Sequence, residues 1–396
     1  MTAPTPAAPR PLSLLLFYDC LYPQSVGGVE HRNFEMARAL AARGHRVTLA
    51  GFGSTRCQPF PGVEVLPVGS AGRLYNAAGK RKTGEALRLA WAAARIDLAP
   101  YDLIESANIP YVHLPVLAFR CRRLRKPLVV TWHEYWGRYW AQYLGWTWPL
   151  YAGVERLTVS LGTQAIAASR LTGDRLQARR RDAVRVIPNG IPVRDIRASA
   201  AESVPGSGPP LVYAGRLLRE KRLDLLFAAV ARLRTRWPGP LLAICGDGPD
   251  RGRLSGLAAE LGLGGAVVFH GHLASNRDVW RTMGASRIAV QPSSREGFGL
   301  FPLEAMAAGL PVVFCASPES ALDELVEPGV HGLLTAPEPG ALAAALETLL
   351  GDDTAVRRLG DAARRHAERY DWGAVAVEME SLFLDAAAAE SRSHAR

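Results

Sequence analysis

The chain has 396 residues, 48% hydrophobic and 21% charged, a balance that excludes whole-chain disorder or a fibrous repeat and leaves room for two or three domains with cores of their own. Its net charge of +10 is uneven, because residues 1–200 hold 27 Lys and Arg against 13 Asp and Glu while residues 201–396 hold 20 against 24. The five cysteines, Cys20, Cys57, Cys121, Cys245 and Cys315, stand apart with no CxxC pair, so neither a disulfide framework nor a metal site is indicated and a reducing, cytoplasmic setting is expected.

Residues 1–10 carry three prolines and no periodicity and read as an unstructured lead-in. Residues 12–18 form an apolar run, too short to span a bilayer and ended by Asp19. A glycine-containing turn and a helical pattern over 29–43 follow. Strand patterns recur at 46–52, 62–68, 102–106, 127–131, 164–168 and 184–188, with helical patterns among them, which predicts a mostly parallel, doubly wound sheet. A Pro/Gly/Ser cluster at 200–210 reads as a linker. A second alternation then begins, with strands at 211–214, 240–245, 266–270, 287–291, 311–315 and 332–335. Its helices are expected near 221–236, 250–262, 275–284, 300–309 and 319–326, and helical patterns at 337–350, 352–369 and 372–389 close the chain. The expected architecture is α/β: a Rossmann-like domain at 11–199, the linker at 200–210, a second Rossmann-like domain at 211–370, and a C-terminal helix and tail at 371–396.

In open α/β sheets ligands gather beyond the carboxyl ends of the strands, so the strand-to-helix loops carry the candidate chemistry, and two such domains facing each other would enclose a cleft. Gly27-Gly28-Val29-Glu30-His31 opens the first helix, where absent side chains let backbone N–H groups approach an anion. A complete GxGxxG is missing, which argues against a dehydrogenase. After the second domain's first strand, Gly215 is followed by Arg216 and Lys221, two cations at the mouth of a helix and suited to a pyrophosphate. The next strands end in Cys245-Gly246-Asp247-Gly248-Pro249 and His270-Gly271-His272-Leu273, polar or open ends with room for a flat ring or a phosphate. Residues 291–311 then join a strand end, a glycine-rich loop and a helix start, with Glu296 and Glu304 eight positions apart. A carboxylate accepts from vicinal hydroxyls, so one suits a sugar and the other a ribose. The N–H groups of Gly299 and Leu300 suit phosphate oxygens.

The 291–311 stretch resembles the E-x7-E signature of retaining GT-B glycosyltransferases, specifically glycosyltransferase family 4. The resemblance also takes in GGVEHR after the first strand, VIPNGI at 186–191, AGRLLREKRLDLL at 214–226 and ICGDGP at 244–249. It implies two Rossmann-like domains facing each other across a cleft, with the C-terminal helix packing back on the first. It implies catalytic roles for His133, Arg216, Lys221 and Glu296, and donor binding by Gly27, Gly28, Asn189, Gly215, Gly246, Gly248, His270, Leu273, Phe298, Gly299, Leu300 and Glu304. The implied donor is a nucleotide diphosphate sugar, with no cofactor and no metal, since Arg, Lys and a helix terminus take the cation's place. Glu134 departs from the family pattern beside His133.

Between residues 132 and 151 lie five of the nine tryptophans, with Tyr135, Tyr139 and Tyr143 at helical i, i+4 spacing. Core packing accounts for any one ring, but so many on one short segment exceed what one helix face can bury. Acceptor contacts are therefore assigned to Trp136 and Trp140, with Glu30 and His31. Basic runs at 120–126 and 175–185 in the +14 half point to a sugar-containing or lipid-linked acceptor and to peripheral attachment at an anionic inner membrane face. Nucleic acid is not indicated, because no recognition motif accompanies the charge. A soluble small-molecule acceptor, a nucleotide-hexosamine epimerase of the same fold and a catalytically idle partner subunit are the alternatives.

Overall fold

The structure, a computed structural model, describes residues 10–23, 28–70, 72 and 82–394. Gly27 and residues 1–9 of the expected lead-in lie outside the described residues. The chain divides into two compact units, one ending at Pro188 and resumed from Trp372, the other Asn189–Asp371.

The first unit runs β1 (Ser13–Cys20), α1 (Gly28–Ala42), β2 (Arg46–Phe52), β3 (Cys57–Phe60), β4 (Val63–Gly69), α2 (Thr83–Arg95), β5 (Leu103–Ala107), α3 (Leu114–Leu124), β6 (Leu128–Trp132), α4 (Tyr139–Leu144), α5 (Trp148–Thr158), β7 (Gln164–Ala167), α6 (Arg170–Gln177) and β8 (Val184–Val186). Its strands are ordered β3-β4-β2-β1-β5-β6-β7-β8. All pairs are parallel except β3 with β4. The short edge strand β3 is not foreseen in the sequence, because its four residues carry a proline and no buried side chain. Every residue of β1 is buried, as expected for a central strand covered on both faces. One face packs Leu15, Phe17 and Trp132 against Leu89 of α2 and Leu117 of α3. The other packs Leu14, Leu16 and Leu103 against Met36 and Leu40 of α1.

The second unit runs α7 (Val193–Ala200), β9 (Leu211–Ala214), α8 (Leu223–Leu233), β10 (Leu242–Cys245), α9 (Arg251–Glu260), β11 (Val267–Gly271), α10 (Asn276–Ala285), β12 (Ile288–Gln291), α11 (Leu300–Ala307), β13 (Val312–Cys315), α12 (Leu322–Leu325), β14 (Gly332–Thr335), α13 (Pro339–Leu350) and α14 (Asp353–His366). Its sheet is β11-β10-β9-β12-β13-β14, parallel throughout. The polar residue before each of two helices caps it: Ser275 accepts from Asp278 N ahead of α10, and Asp352 from Ala355 N ahead of α14.

The cluster at 200–210, expected to separate the domains, instead lies within the second unit. Ser203 Oγ donates to Arg281 O at 2.8 Å and Gly208 N to Ala285 O at 3.1 Å, tying it to α10. A Cβ at Gly284 would lie 2.1 Å from Ala200 O, so glycine there lets α10 approach the end of α7 closely. The Pro and Gly content recorded a bent, packed connection rather than a free linker.

The last helix, α15 (Trp372–His394), returns to the first unit. Trp372, Val375, Ala376, Met379, Phe383 and Ala386 follow helical spacing and join the core beside Leu12, Leu40 and Leu103. Glu380 fixes the register: it accepts from Arg43 Nε at 2.8 Å, and its Oε1 lies 2.8 Å from His45 Nε2. His45 Nδ1 in turn accepts from Leu12 N at 3.0 Å, so the Nε2 proton points at the carboxylate. Among the described residues no helix is long and apolar enough to cross a membrane.

Candidate active site

In the second unit the strand order reverses between β9 and β12, and such a switch point opens a crevice at the carboxyl ends of the two strands. The loops leaving those ends carry Arg216 and Lys221 after β9, and Glu296 after β12. Lys221 Nζ donates to Glu296 Oε2 at 2.7 Å. Gln291, the last residue of β12, donates its Nε2 to the same oxygen at 2.7 Å and to Ser293 Oγ at 2.9 Å. Both donors fall on Oε2. The Glu296 loop is pinned on two sides: Ser294 N donates to Glu220 O at 2.9 Å, and Glu296 N donates to Glu319 O at 3.1 Å. Arg216 is exposed at the loop surface.

Backbone crowding explains the glycines. Gly246 has φ +140°, and a Cβ there would stand 2.0 Å from Gly215 O; one at Gly248 would stand 2.3 Å from Leu217 O. The loops after β9 and β10 thus meet main chain to main chain, beside the buried Tyr213, whose hydroxyl donates to Arg216 O at 3.4 Å. Gly299, with φ +101°, is the residue before α11, so the helix's first N–H groups, beginning at Leu300, have no intrahelical acceptor. Phe298 is buried against Tyr370, with ring centroids 6.2 Å apart.

Glu304 lies one turn into α11. Burial pushes its carboxyl up to about 7, with the Trp280 indole acting in the opposite direction. Asn189, where the second unit begins, is buried, and its Oδ1 has no hydrogen-bond partner among the described residues. His270 is exposed and Leu273 half-buried at the end of β11.

In the first unit the switch point falls between β1 and β5. Gly28 is exposed at the start of α1, whereas Glu30 is buried. His31 packs edge-on to Tyr22 at 5.3 Å; burial and then Arg38 hold its pKa below the ordinary value. His133 follows β6, and its backbone N donates to Asn108 Oδ1 at 3.4 Å. Its Nε2 is shielded from solvent and has no hydrogen-bond partner among the described residues. Burial, followed by the charge of Arg32, pushes the ring down to about 3, so it is neutral at ordinary pH. Arg32 faces Glu105 at 3.9 Å, both buried, and burial raises the Glu105 pKa more than Arg32 lowers it.

The aromatic segment differs from its sequence reading. Tyr135 and Trp136 precede α4 rather than riding on it. Trp140, expected at the acceptor, is a core residue, buried between Trp136 at 4.6 Å and Tyr151 at 5.4 Å. Trp136 is half-buried against Tyr139 and Tyr143. Trp146, 90% exposed, stands furthest into solvent of the segment's tryptophans, and Trp148 is also exposed. Glu155, which sequence alone did not single out, accepts from Trp136 N at 2.8 Å, Gly137 N at 2.7 Å and the Tyr111 hydroxyl at 2.9 Å, fixing the loop that carries His133. Gln291 also escaped notice as a side chain with a task; its only sequence signal is a polar residue ending an otherwise apolar strand.

Two nucleotide-binding-type sheets with polar, glycine-rich strand ends define the GT-B class of transferase fold. Residues 26–195 match the family described as Glycosyltransferase Family 4, and residues 196–366 match Glycosyl transferases group 1. The chain belongs to glycosyltransferase family 4. It is 37% identical over 216 residues to a glycogen synthase of Mycobacterium tuberculosis, covering 54% of this chain and 51% of that protein. It is 36% identical over 206 residues to a D-inositol 3-phosphate glycosyltransferase of Nocardia farcinica, covering 48% and 45%. The chain spans about half the length of the curated relatives it matches. Among solved structures, sucrose-phosphate synthase from Thermosynechococcus elongatus superposes with TM-score 0.80 at 24% identity, over 96% of this chain and 100% of that one. Anabaena HepE in complex with UDP-glucose gives 0.72 at 22% identity, over 94% and 99%. These likenesses establish the fold.

Proposed function

We propose that the protein transfers a hexosyl residue from a nucleoside diphosphate sugar to an acceptor hydroxyl, with retention at the anomeric carbon and without a metal ion. The observation that carries this reading is the Lys221–Glu296 contact at the β9/β12 switch point, braced by Gln291 and set beside the start of α11. Lys221, Arg216 and the first N–H groups of α11 meet the diphosphate, so the charge that builds on the departing phosphate is neutralised where it develops. Glu296, with Oε2 engaged by Lys221 and Gln291, keeps Oε1 for a hydroxyl of the transferred sugar. Glu304 takes the ribose hydroxyls. His133, neutral, offers a hydrogen bond rather than a charge. The bond from the anomeric carbon to the distal phosphate oxygen breaks as the acceptor oxygen adds on the same face, and the acceptor's proton passes to that phosphate. UDP-glucose in the HepE structure makes a UDP-sugar the first donor to try, and the basic first half favours a lipid-linked or polysaccharide-precursor acceptor.

The experiment is a panel of UDP-, GDP- and ADP-sugars, scored for thermal stabilisation and for nucleotide release, with excess EDTA in a parallel series. One donor class is expected to stabilise the protein and to turn over in EDTA. Glu304→Ala should weaken nucleotide binding, whereas Glu296→Ala should chiefly lower turnover. Equal loss of nucleotide affinity in both variants would contradict the assignment.

The Glu304 carboxyl, held at about 7, gives a pH signature. A carboxylate that accepts ribose hydroxyls must be ionised, so below that value donor binding has to release a proton. Affinity for a nucleotide sugar, whose diphosphate charge is constant here, is expected to rise by up to about tenfold per pH unit towards neutrality and then level off. Calorimetry across this range should lose the slope in Glu304→Gln; a flat wild-type profile would count against the ribose assignment.

A further inference from the structure

We propose that the outer face of the helical layer formed by α2, α3 and α5 docks on an anionic lipid surface. The three crossovers that contain these helices, β4 to β5, β5 to β6 and β6 to β7, advance across the sheet in one direction, and right-handed connections therefore set all three helices on one face. The Thr83 hydroxyl at the start of α2 lies 3.2 Å from the Tyr151 hydroxyl of α5. Their inner sides share one core through Leu89, Leu117 and Tyr151.

The outer side is apolar where a solvated helix layer is ordinarily polar. Leu87 and Trp91 on α2 are 60% and 58% exposed, Phe119 on α3 is 63%, and Leu150 and Leu157 on α5 are 70% and 75%. Trp146 stands just ahead of α5. Among the described residues, every exposed Trp and Phe, and every exposed leucine except Leu334, belongs to this layer or its margin. Such a concentration marks an interaction surface.

Charge selects the partner. These helices carry Arg88, Arg95, Arg120, Arg122, Arg123 and Arg156. Of their two acidic residues, Glu85 offsets only Arg88, with which it pairs at 2.7 Å, and Glu155 is buried, so the outer side keeps an excess of positive charge. The Arg95 guanidinium lies 4.0 Å from the Trp91 ring centre and that of Arg123 5.8 Å from Phe119. A ring to enter the acyl boundary with a cation beside it for the headgroup phosphate is the pairing an interface favours. A second copy of the same face would bring arginine against arginine, and nucleic acid would leave the leucines without an apolar partner. An anionic bilayer matches both features, and each basic side chain near it adds attraction.

The test uses the full chain with phosphatidylglycerol–phosphatidylcholine vesicles and with phosphatidylcholine vesicles alone, at low and high salt. It does not depend on transfer activity. Two variants accompany it, R95Q/R122Q/R123Q/R156Q and W91S/F119S/L150S, all at exposed positions and each checked for an unchanged melting temperature. Sedimentation with the anionic vesicles at low salt, release by high salt and at least tenfold weaker binding by both variants are expected. No sedimentation, or equal sedimentation by wild type and variants, overturns the proposal. So does lipid-free self-association abolished in W91S/F119S/L150S, which would make the face a subunit contact. Binding to polyglutamate but not to vesicles would make it a site for an acidic protein, and would equally overturn it.

Discussion

Replacing Lys221 with alanine is expected to lower donor turnover about a hundredfold, the equivalent of roughly 3 kcal/mol of lost transition-state stabilisation. Two effects act together. On the proposed reading the departing diphosphate would lose a cation where charge develops, and Glu296 loses the ammonium that lies 2.7 Å from its Oε2. Gln291 remains as a neutral donor at 2.7 Å, so the carboxylate should keep its position better than its function. Lys221→Arg retains the charge and should recover part of the rate; Arg216→Ala, which removes the other cation of the pair, should also lose turnover. Steady-state kinetics at saturating donor separates these cases, since a loss confined to KM would signal ground-state binding alone. Wild-type turnover in Lys221→Ala would remove the pyrophosphate assignment altogether.

Glu380→Ala is expected to be strongly destabilising although it lies away from the candidate site. It leaves Arg43 and the buried His45 without their shared carboxylate, and breaking one side of such a pair costs about 3 kcal/mol. For a unit of this size the melting temperature should fall by roughly 6–12 °C. Burial by itself would raise the Glu380 pKa, but its bonds to Arg43 and His45 outweigh that and hold it below the ordinary value. A carboxyl depressed in the folded state stabilises at pH values above its unfolded pKa and stops doing so as the pH falls through the depressed value. The gap in melting temperature between wild type and variant should therefore be full near neutrality and close in acid. Calorimetry at several pH values checks both points; a shift under about one degree at neutral pH would mean that α15 is held by its apolar face alone.

The strands were legible because parallel strands covered on both faces are apolar over most of their length, as Leu14–Phe17 of β1 and all of β9 are. The β9/β12 loops were legible for a related reason: at a switch point the loop residues follow immediately after strands, where glycine, arginine and glutamate stand out against an apolar run. What the sequence hid was hidden by packing. Proline and glycine at 200–210 have the composition of a linker, and only the close approach at Gly284 shows that they serve a packed bend. The tryptophans near 140 have the composition of a sugar platform, yet Trp140 is enclosed by Tyr111, Trp136 and Tyr151. Glu155 has unremarkable neighbours in sequence and Gln291 opens the 291–311 stretch without a signal of its own; what each does shows only in what folds against it.

The return of α15 to the first unit has a consequence for biosynthesis. Trp372, Met379 and Phe383 complete a core whose other members, Leu14, Leu40 and Leu103, leave the ribosome far earlier. At about 5–20 residues per second, the intervening second unit takes on the order of 10–40 s to emerge. During that interval the face of the first sheet meant for α15 is uncovered, and by its end the second unit has all of its own strands. The domain encoded first is therefore the one finished last, and nascent chains halted before α15 should be the species that chaperones hold.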